Sequence, residues 1–318
     1  MTRSKIIDVM KAVTIHEYGG PDELTYEEIP VPEYGPGEIL VRVHATGINP
    51  VDWKTREGYN KERRNTKFPL ILGWDVAGAV AETGSLVSRF KTGDLIFAMA
   101  DMTRNGAEAE YVVLKTDAAA RVPATISLEQ SAAVPLAALT AWMMLFDKAN
   151  LQPGQHILIH AASGGVGSFA VQLAKIAGAY VAGTTSEANI DYVKSLGADE
   201  IINYKAEDFS GRLKDYDVVL DTIGGETQKK SFKVLKRDGT LVTTVKPQDE
   251  NLAKEYSVRL QGGLVMPNGA RLQEIAGLID EGKIKVHVEK EFGLKEVRVA
   301  QEYSQSGKVR GKLIVKVQ

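Results

Sequence analysis

The sequence predicts an α/β protein in which a doubly wound parallel sheet follows a strand-rich, barrel-like domain. Between residues 155 and 245, apolar runs of strand length alternate with helical patterns, as in a parallel sheet with right-handed crossovers. Before residue 123, short strand patterns punctuated by glycine predominate, which indicates a compact β domain. A third observation is the succession of strand, glycine turn and helix at residues 155–178.

The first third of the chain reads as short strands after an extension at residues 1–9. An irregular stretch is expected from Asn49 to Lys54, and the polar segment Glu57–Lys67 predicts a surface loop. Alternating apolar positions predict strands at Lys11–Glu17, Leu24–Ile29, Glu38–Thr46, Gly73–Glu82, 89–97, Gly106–Leu114 and Ala119–Val122.

In the rest of the chain, predicted helices alternate with predicted strands. Helices are predicted at Leu136–Lys148, after the glycine turn, and at Ile190–Leu196, Gln228–Leu235, Ala270–Glu281 and Leu294–Ser304. Strands are predicted at Ile157–His160, Tyr180–Thr184, Glu200–Ile202, Asp217–Asp221, Thr240–Val245, Ser257–Gly262, Ile284–Val288 and Lys312–Val317.

Composition and charge exclude several classes of protein. The 318 residues are 44% hydrophobic and 25% charged, and the net charge of −2 gives no support to nucleic-acid or anionic-membrane partners. No apolar run reaches membrane-spanning length and the first residues lack a secretory signal, so a cytoplasmic protein is expected. The absence of cysteine removes disulfides, thiolate nucleophiles and Cys-ligated metals. The histidines lack helical ligand spacing, and no metal ligand is assigned.

The stretch QHILIHAASGGVGSFAVQLAKIAG combines an apolar strand, a small-residue turn and a helical pattern. Glycines let a ligand approach the backbone, and the start of the helix presents free N–H groups at the positive end of its dipole. An ordinary strand–helix turn is the alternative, but the flanking strand and helix favour dinucleotide binding. The residues assigned to the diphosphate are Ser163, Gly164, Gly165, Val166 and Gly167.

The end of the second strand bears on the choice of cofactor. An NAD-binding chain places a carboxylate about twenty residues past the glycines, on the ribose 2′-OH. Here the strand ends Gly183-Thr184-Thr185-Ser186, and the hydroxyl of Ser186 suits a 2′-phosphate. NADPH is therefore predicted, with Thr184 and Ser186 in its site. NADH remains open, because Glu187 follows at once and no arginine is adjacent.

Several motifs resemble those of one family. GPGEILVRVHATGINPVDWKTREG, FPLILGWDVAGAVAETG, AASGGVGSFAVQLAK, SLGADEIINY and the final GKVRGKLIV are similar to the zinc-independent medium-chain dehydrogenase/reductases, and most to the NADPH:quinone oxidoreductases, the zeta-crystallin-like group. The resemblance runs from about Met10 to the end of the chain. It implies a GroES-like catalytic domain formed by residues 1–133 and 271–318, a Rossmann domain at 134–270, a cleft between them, and a homodimer.

The departures from the zinc-dependent relatives of this family predict the chemistry. Asn49 stands at the position of their first cysteine ligand, and Trp74-Asp75 at that of a His-Glu pair. Without a Lewis acid to polarise an alcohol or carbonyl oxygen, alcohol oxidation is disfavoured. Reduction of an already activated acceptor, a quinone or an α,β-unsaturated carbonyl, is the better interpretation.

The resemblance also assigns individual residues. Asn49 would donate an amide N–H to the acceptor oxygen, Trp53 would form an apolar wall, and Lys54 would supply charge or a proton, although relatives often carry tyrosine there. A solvated Lys54 is the alternative, and Asp52 is interpreted as a structural turn residue.

The resemblance also assigns cofactor contacts to Thr140, to Tyr204 at the 2′-phosphate, and to Met266 and Lys312. A helix-interior hydroxyl is the alternative for Thr140, and a surface charge is the alternative for Lys312. Thr222, Ile223, Thr244 and Val245 are assigned to the cofactor because they follow strands at the carboxyl edge of the sheet, where a nucleotide crosses it.

The sequence therefore predicts a metal-free, NADPH-dependent reductase of quinones or enones, with a small-molecule substrate and no nucleic-acid or membrane partner. Two alternatives remain open. One is an NADPH-binding regulatory or crystallin-like protein with little turnover, whose cofactor site would look the same. The other is an enoyl-thioester reductase, although no basic groove for the phosphates of CoA is evident.

Overall fold

A computed structural model describes residues 9–59, 61–63, 66–246 and 250–317, which fold into two compact units. The first unit comprises the chain up to Leu136, Met266–Gly282 and the segment from Val286 onward. The second unit comprises Ala137–Val265 and Lys283–Lys285. Each unit is built around its own sheet, and the predicted α/β class is confirmed.

The strands follow the chain in the order predicted for a β domain and then a parallel sheet. They are β1 (Val9–Ile15), β2 (Thr25–Pro30), β3 (Glu38–Ile48), β4 (Leu70–Ile71), β5 (Asp75–Thr83), β6 (Leu95–Met99), β7 (Tyr111–Lys115), β8 (Ala119–Arg121), β9 (His156–Ile159), β10 (Tyr180–Thr185), β11 (Glu200–Asn203), β12 (Tyr216–Asp221), β13 (Leu235–Thr243), β14 (Arg259–Gly262), β15 (Val288–Gly293) and β16 (Lys312–Lys316).

The helices are short, and several begin or end in a 3-10 turn. They are α1 (Pro50–Arg56), α2 (Leu128–Ser131), α3 (Pro135–Trp142), α4 (Gly165–Ile176), α5 (Ile190–Ser195), α6 (Phe209–Arg212), α7 (Gly225–Ser231), α8 (Glu250–Glu255), α9 (Gly269–Asp280) and α10 (Val297–Gln305). Helix α3 continues as a π-helix over Met143–Lys148. Among the described residues, no helix is both long enough and apolar enough to cross a membrane.

The first unit contains a largely antiparallel sheet in the order β15-β16-β3-β5-β6-β8, with β7 paired to β3, and a smaller sheet β2-β1-β4. Its core packs apolar side chains of the long strand β3 against those of β5 and β6, around the fully buried ring of Trp74. The stretch expected to be irregular is helix α1. Pro50 at its first position and the Asp52 carboxylate, which accepts the N–H of Asn49 at 2.6 Å, start it.

The second unit contains a parallel sheet in the order β11-β10-β9-β12-β13-β14, with β9 and β12 at its centre. Leu220 pairs with Ile159, and Asp221 pairs with Thr243, so β9, β12 and β13 end at one edge. Their residues are buried on both faces of the sheet, as expected for a central parallel strand. The loops that leave this edge therefore lie close together.

The strand predicted at Ile284–Val288 is wrong in its position, since β15 begins only at Val288. The backbone N–H of Lys285 donates to the side chain of Gln172 at 2.7 Å, and its carbonyl accepts from the same side chain at 3.1 Å. A glutamine on α4 thus satisfies the groups that a neighbouring strand would have used. The predicted loop Glu57–Lys67 includes a 3-10 turn at Lys61–Arg63, and its residues 60 and 64–65 lie outside the described residues.

Candidate functional site

The glycine turn of the second unit connects β9 to α4. Ala161 adopts a left-handed conformation (φ 48°), and its carbonyl accepts the N–H of Gly164 at 2.9 Å. A Cβ on Gly167 would lie 2.2 Å from this carbonyl oxygen and 2.8 Å from the Cα of Ala162. The start of the helix therefore packs directly on the turn, at a distance that only glycine permits.

The same packing leaves backbone donors at the start of α4. Ser168 donates the first helical hydrogen bond, to the carbonyl of Gly164 at 2.9 Å. The amides of Gly165, Val166 and Gly167 precede it, so the helix offers them no acceptor. With the positive end of the helix dipole behind them, they can hold the phosphate oxygens of a dinucleotide. The residues present thus fit a diphosphate.

At the end of β10, the hydroxyls of Thr184 and Thr185 form hydrogen bonds to this turn. Thr184 is buried, and its Oγ1 accepts the N–H of Ala161 at 3.3 Å and contacts Nδ1 of His160 at 3.1 Å. Ser163 Oγ accepts from Thr185 Oγ1 at 3.0 Å and from Asn189 Nδ2 at 3.3 Å. Thr184 and Thr185 therefore hold the turn in place, through Ala161 and Ser163.

The residues predicted to meet a 2′-phosphate lie at the surface. Ser186 is half-buried at the end of β10, and Tyr204 is 58% exposed. Glu187 begins the 3-10 turn that follows Ser186 and is exposed as well. The structure thus places a hydroxyl and a carboxylate side by side at the strand end on which the choice of cofactor depends.

His160 lies beneath this site with both ring nitrogens bonded. Nδ1 contacts Thr184, and Nε2 lies 2.9 Å from Ser231 Oγ. Burial lowers the pKa of His160 to about 4, although the nearby carboxylate of Asp221 acts in the opposite direction. The ring is therefore neutral at physiological pH and links β9, β10 and α7. With both nitrogens bonded inside the protein, His160 has a structural role.

The other residues assigned to the cofactor occupy both units. In the second unit, Thr222 Oγ1 donates to the carbonyl of His160 at 3.2 Å, and Ile223 is 55% exposed. Thr244 and Val245 are half-buried in the loop after β13. Thr140 is buried in α3. Met266 belongs to the first unit, where its side chain is exposed.

In the first unit, Lys312 is buried in a polar cluster. Its ammonium donates to the carbonyl of Ile48 at 3.1 Å, to Asn49 Oδ1 at 2.5 Å and to Asp75 Oδ2 at 3.0 Å. These three acceptors match the three hydrogens of the ammonium. We call Lys312, Asn49 and Asp75 the buried lysine cluster. Its members are 3%, 2% and 0% exposed.

Asn49 uses its amide within the same cluster. Nδ2 donates to Asp75 Oδ2 at 2.8 Å and to the carbonyl of Gly47 at 3.3 Å. Asp75 also accepts the backbone N–H of Leu136 at 2.6 Å through Oδ1. The structure therefore brings Asn49 and Lys312 together and directs their donors at protein acceptors.

Trp53 and Lys54 are neighbours on α1. The Trp53 ring meets Tyr59 edge-on at 6.0 Å between centroids, and the Lys54 ammonium lies 5.4 Å from the centroid of the Trp53 ring. Among the described residues, the buried indole N–H of Trp53 has no hydrogen-bond partner. These two side chains form an amphipathic surface patch of one aromatic ring and one cation.

A second buried polar cluster went unnoticed in the sequence. Arg56 is fully buried and donates to Gln301 Oε1 at 3.0 Å, and Gln301 Nε2 donates to Glu108 at 3.0 Å. Burial raises the pKa of Glu108 to about 7, against the effects of Gln301 and Arg56. Burial and the Glu108 carboxylate raise the pKa of Asp52 as well. One signal was present: Glu108 interrupts an apolar strand pattern between Ala107 and Ala109.

Replacement of Glu108 by glutamine is expected to change how stability depends on pH. Between the unfolded pKa of 4.5 and the folded value of about 7, the folded chain keeps a proton that the unfolded chain has released. Stability therefore falls as pH rises through this range, by about 3 kcal/mol for a shift of this size. Glu108→Gln removes this loss, so we expect the variant to exceed the wild type in stability at pH 8 and to match it near pH 4.5.

Urea unfolding at several pH values measures this difference. Glu28→Gln, an exposed change on β2, is the control and should follow the wild type throughout. The same pH slope for the wild type and Glu108→Gln would show that Glu108 ionises normally.

Comparisons with known proteins agree with this architecture. The family model for the alcohol dehydrogenase GroES-like domain matches residues 35–124, and that for zinc-binding dehydrogenase matches residues 196–315. In the described part of the chain, no three His, Cys, Asp or Glu side chains are grouped so that they could hold a metal ion. The fold and the glycine turn thus define an oxidoreductase of the medium-chain dehydrogenase/reductase family with a nicotinamide cofactor.

Within that family, the chain belongs with the quinone oxidoreductases. It is 34% identical to a chloroplastic quinone-oxidoreductase homolog of Spinacia oleracea, over 96% of this chain and 98% of that one. It is 32% identical to the mitochondrial NAD(P)H oxidoreductase RTN4IP1 of Danio rerio, over 97% of this chain and 92% of that one. The predicted family is confirmed.

Solved structures show the same relationship. The quinone oxidoreductase of Coxiella burnetii is similar with a TM-score of 0.92 and 35% identity, over 98% of this chain and 100% of that one. The quinone oxidoreductase of Escherichia coli complexed with NADPH is similar with a TM-score of 0.88 and 30% identity, over 96% of this chain and 100% of that one.

The prediction of a cytoplasmic protein is wrong. The curated relative of Danio rerio is mitochondrial and that of Spinacia oleracea is chloroplastic, so the curated relatives named here work in organelles. The prediction depended on apolar run length, which indicates whether a chain can cross a membrane, and on the lack of a secretory signal, which does not distinguish the cytoplasm from an organelle.

Proposed function

We propose that the protein is an NADPH-dependent reductase that transfers hydride to a quinone or an α,β-unsaturated carbonyl without a metal ion. The observation that carries the proposal is the glycine turn, where Gly167 packs against Ala161 and the first amides of α4 remain available. The names of the quinone oxidoreductase relatives support the acceptor class. The NADPH bound to the Escherichia coli protein supports the cofactor.

Different residues of the chain would contact different parts of the cofactor. Residues 163–167 would hold the diphosphate, and Ser186 with Tyr204 the 2′-phosphate, while the loops after β12 and β13 would meet the rest of the dinucleotide. NADPH, when bound, supplies the hydride. Around the acceptor, Trp53 offers an apolar surface and Lys54 a cation that stabilises negative charge developing on oxygen. In this arrangement Asn49 acts through the backbone that it anchors, because its amide is committed to the buried lysine cluster.

We also propose that the catalytic domain comprises residues 1–133 and 271–318, that residues 134–270 bind the cofactor, and that the protein is a homodimer. Analytical ultracentrifugation tests the last point, with a single species of twice the mass of 34.6 kDa expected.

Replacement of Ser186 by alanine is expected to weaken NADPH binding and leave NADH binding unchanged. Its hydroxyl would donate to a charged phosphate oxygen, and loss of such a bond raises the Kd roughly tenfold. Fluorescence titration with both nucleotides measures the effect. Ser195→Ala, a change to an exposed serine on α5, is the matched control.

A panel of acceptors separates the possible reactions. NADPH oxidation with a quinone or an enal, unaffected by EDTA, is expected. Turnover only with an alcohol and NADP⁺, or loss of activity on chelation, would contradict the proposal. Preference for an enoyl-CoA would establish the thioester reductase, and tight NADPH binding without turnover would establish a binding protein.

A further inference from the structure

One buried carboxylate bonds to the loop that follows β12 and to the end of β13. Asp221, the last residue of β12, is 0% exposed. Its Oδ1 accepts the backbone N–H groups of Ile223 and Gly224, each at 2.9 Å. Its Oδ2 accepts Gln228 Nε2 at 2.8 Å and Thr243 Oγ1 at 3.2 Å. Four donors, from one loop, one helix and the end of β13, therefore converge on this side chain.

The loop after β13 depends on the same residue. The backbone carbonyl of Asp221 accepts the N–H of Thr244 at 3.0 Å. Thr243, whose hydroxyl donates to the Asp221 carboxylate, also accepts the N–H of Val245 at 3.2 Å. Loss of the carboxylate would leave two backbone amides of the neighbouring loop without their acceptor, in the interior of the unit. The Thr243 hydroxyl would keep only the carbonyl of Val245, at 3.4 Å.

The loop after β12 contains little else that fixes its shape. Gly224 and Gly225 both have positive φ, of 81° and 56°. A Cβ on Gly224 would lie 2.9 Å from Cγ2 of Val245, so the two loops touch at this point. Glycine backbone gains much conformational freedom when its bonds are lost. The Asp221 carboxylate thus determines where the exposed side chain of Ile223 stands.

The loop after β12 lies next to the glycine turn, and the loop after β13 follows one strand further along the sheet. Leu220 pairs with Ile159, and β9 continues directly into the turn. Thr222 Oγ1 adds a bond to the carbonyl of His160, the first residue after β9. In open parallel sheets, ligands bind outside the carboxyl ends of such neighbouring strands. The loops that Asp221 organises are therefore the ones a dinucleotide on the glycine turn would meet next.

We infer that Asp221 is a positioning residue for the nicotinamide nucleotide, which it serves by holding residues 222–224 and 243–245 in the form that receives the ligand. The inference rests on the proposed function. Asp221 is buried and touches no ligand itself, so its effect passes through Ile223, Gly224 and Val245. Because β9 separates these loops from the end of β10, where Ser186 would meet the 2′-phosphate, NADPH and NADH should respond to its removal equally.

The test compares nucleotide binding and loop order in three variants. For Asp221→Ala we expect the Kd for NADPH and the Kd for NADH to rise on the order of tenfold or more. With saturating NADPH and a quinone, kcat should stay within about threefold of the wild type. Hydrogen exchange at the amides of Ile223 and Gly224 should become faster. Asp221→Asn keeps an oxygen for these two amides and should bind nearly as the wild type does. Asp217→Ala, at the opposite end of the same strand, should lower Tm and leave both Kd values unchanged.

Each outcome decides the inference. A Kd for Asp221→Ala within twofold of the wild type overturns it, as does an equal rise in Asp217→Ala, which would reflect general destabilisation. If Asp221→Ala does not fold, the asparagine variant decides. Nucleotide binding close to that of the wild type, with slow hydrogen exchange at Ile223, supports the inference. Loss of nucleotide binding while the amides of Ile223 and Gly224 stay protected from exchange overturns it. Failure of the wild type to bind either nucleotide overturns the proposed function, and this inference with it.

Discussion

Replacement of Lys312 by methionine is expected to destabilise the protein by roughly 3–5 kcal/mol, the usual effect of removing one partner of a buried ion pair. The ammonium is 3% exposed and donates to Ile48, Asn49 and Asp75. Methionine fills a similar volume but supplies no donor. It therefore leaves the Asp75 carboxylate buried with an uncompensated charge, against which Asn49 Nδ2 and the N–H of Leu136 are the remaining donors. Urea unfolding at pH 7 measures the loss.

Two further variants show whether the buried charge is the cause. Lys316→Met, on the same strand but exposed and paired with an exposed glutamate, should change stability by less than about 1 kcal/mol. In Lys312→Met/Asp75→Asn, the buried charge is gone, Oδ1 still accepts from Leu136, and the Asn49 amide can turn to accept from the new amide. The double variant should be more stable than Lys312→Met alone. If the double variant were no more stable than Lys312→Met, charge burial would not be the explanation.

The parts of the molecule that sequence reasoning predicted are local. The strand, turn and helix around Gly167 occupy one contiguous stretch, and hydrophobic periodicity with glycine spacing is enough to recognise them. The alternation of β10–β13 with helices is likewise a pattern of near neighbours. Helix α1 was missed because seven residues provide too few turns for a period to show. Only its cap, Asn49-Pro50 with Asp52, indicated it.

The buried polar clusters could not be predicted in the same way. Lys312 and Asp75 are 237 residues apart along the chain, and Gln301 and Glu108 are 193 apart. No periodicity connects such positions, and a lysine in an otherwise alternating strand reads as a solvated cation. Asn49 was assigned as a donor to the acceptor oxygen on resemblance. The structure shows that the sheet brings Lys312 to it and that its amide is used internally.

Replacement of Gly167 by alanine is expected to weaken binding of the nicotinamide cofactor roughly tenfold to hundredfold. The new Cβ would lie 2.2 Å from the carbonyl oxygen of Ala161 and 2.8 Å from the Cα of Ala162, both backbone atoms. Because backbone atoms cannot move aside as a side chain can, the start of α4 must shift away from the turn. Overpacking of this kind costs about 1–3 kcal/mol. Because it displaces the amides of residues 165–167, much of the effect should fall on the diphosphate and hence on Kd.

Gly211→Ala separates this local effect from the general cost of losing a glycine. Gly211 lies on α6 of the same unit, has open space where a Cβ would be, and does not require positive φ, so alanine there should be neutral or slightly stabilising. Titration with NADPH and NADH, with Tm measured on the same samples, distinguishes the outcomes. Cofactor binding within twofold of the wild type in Gly167→Ala would mean that the turn adjusts without moving its amides, or that the dinucleotide does not rest on them. Because the phosphate oxygens that these amides are proposed to bind are common to both nucleotides, a loss for NADPH alone would assign the effect to the 2′-phosphate end instead.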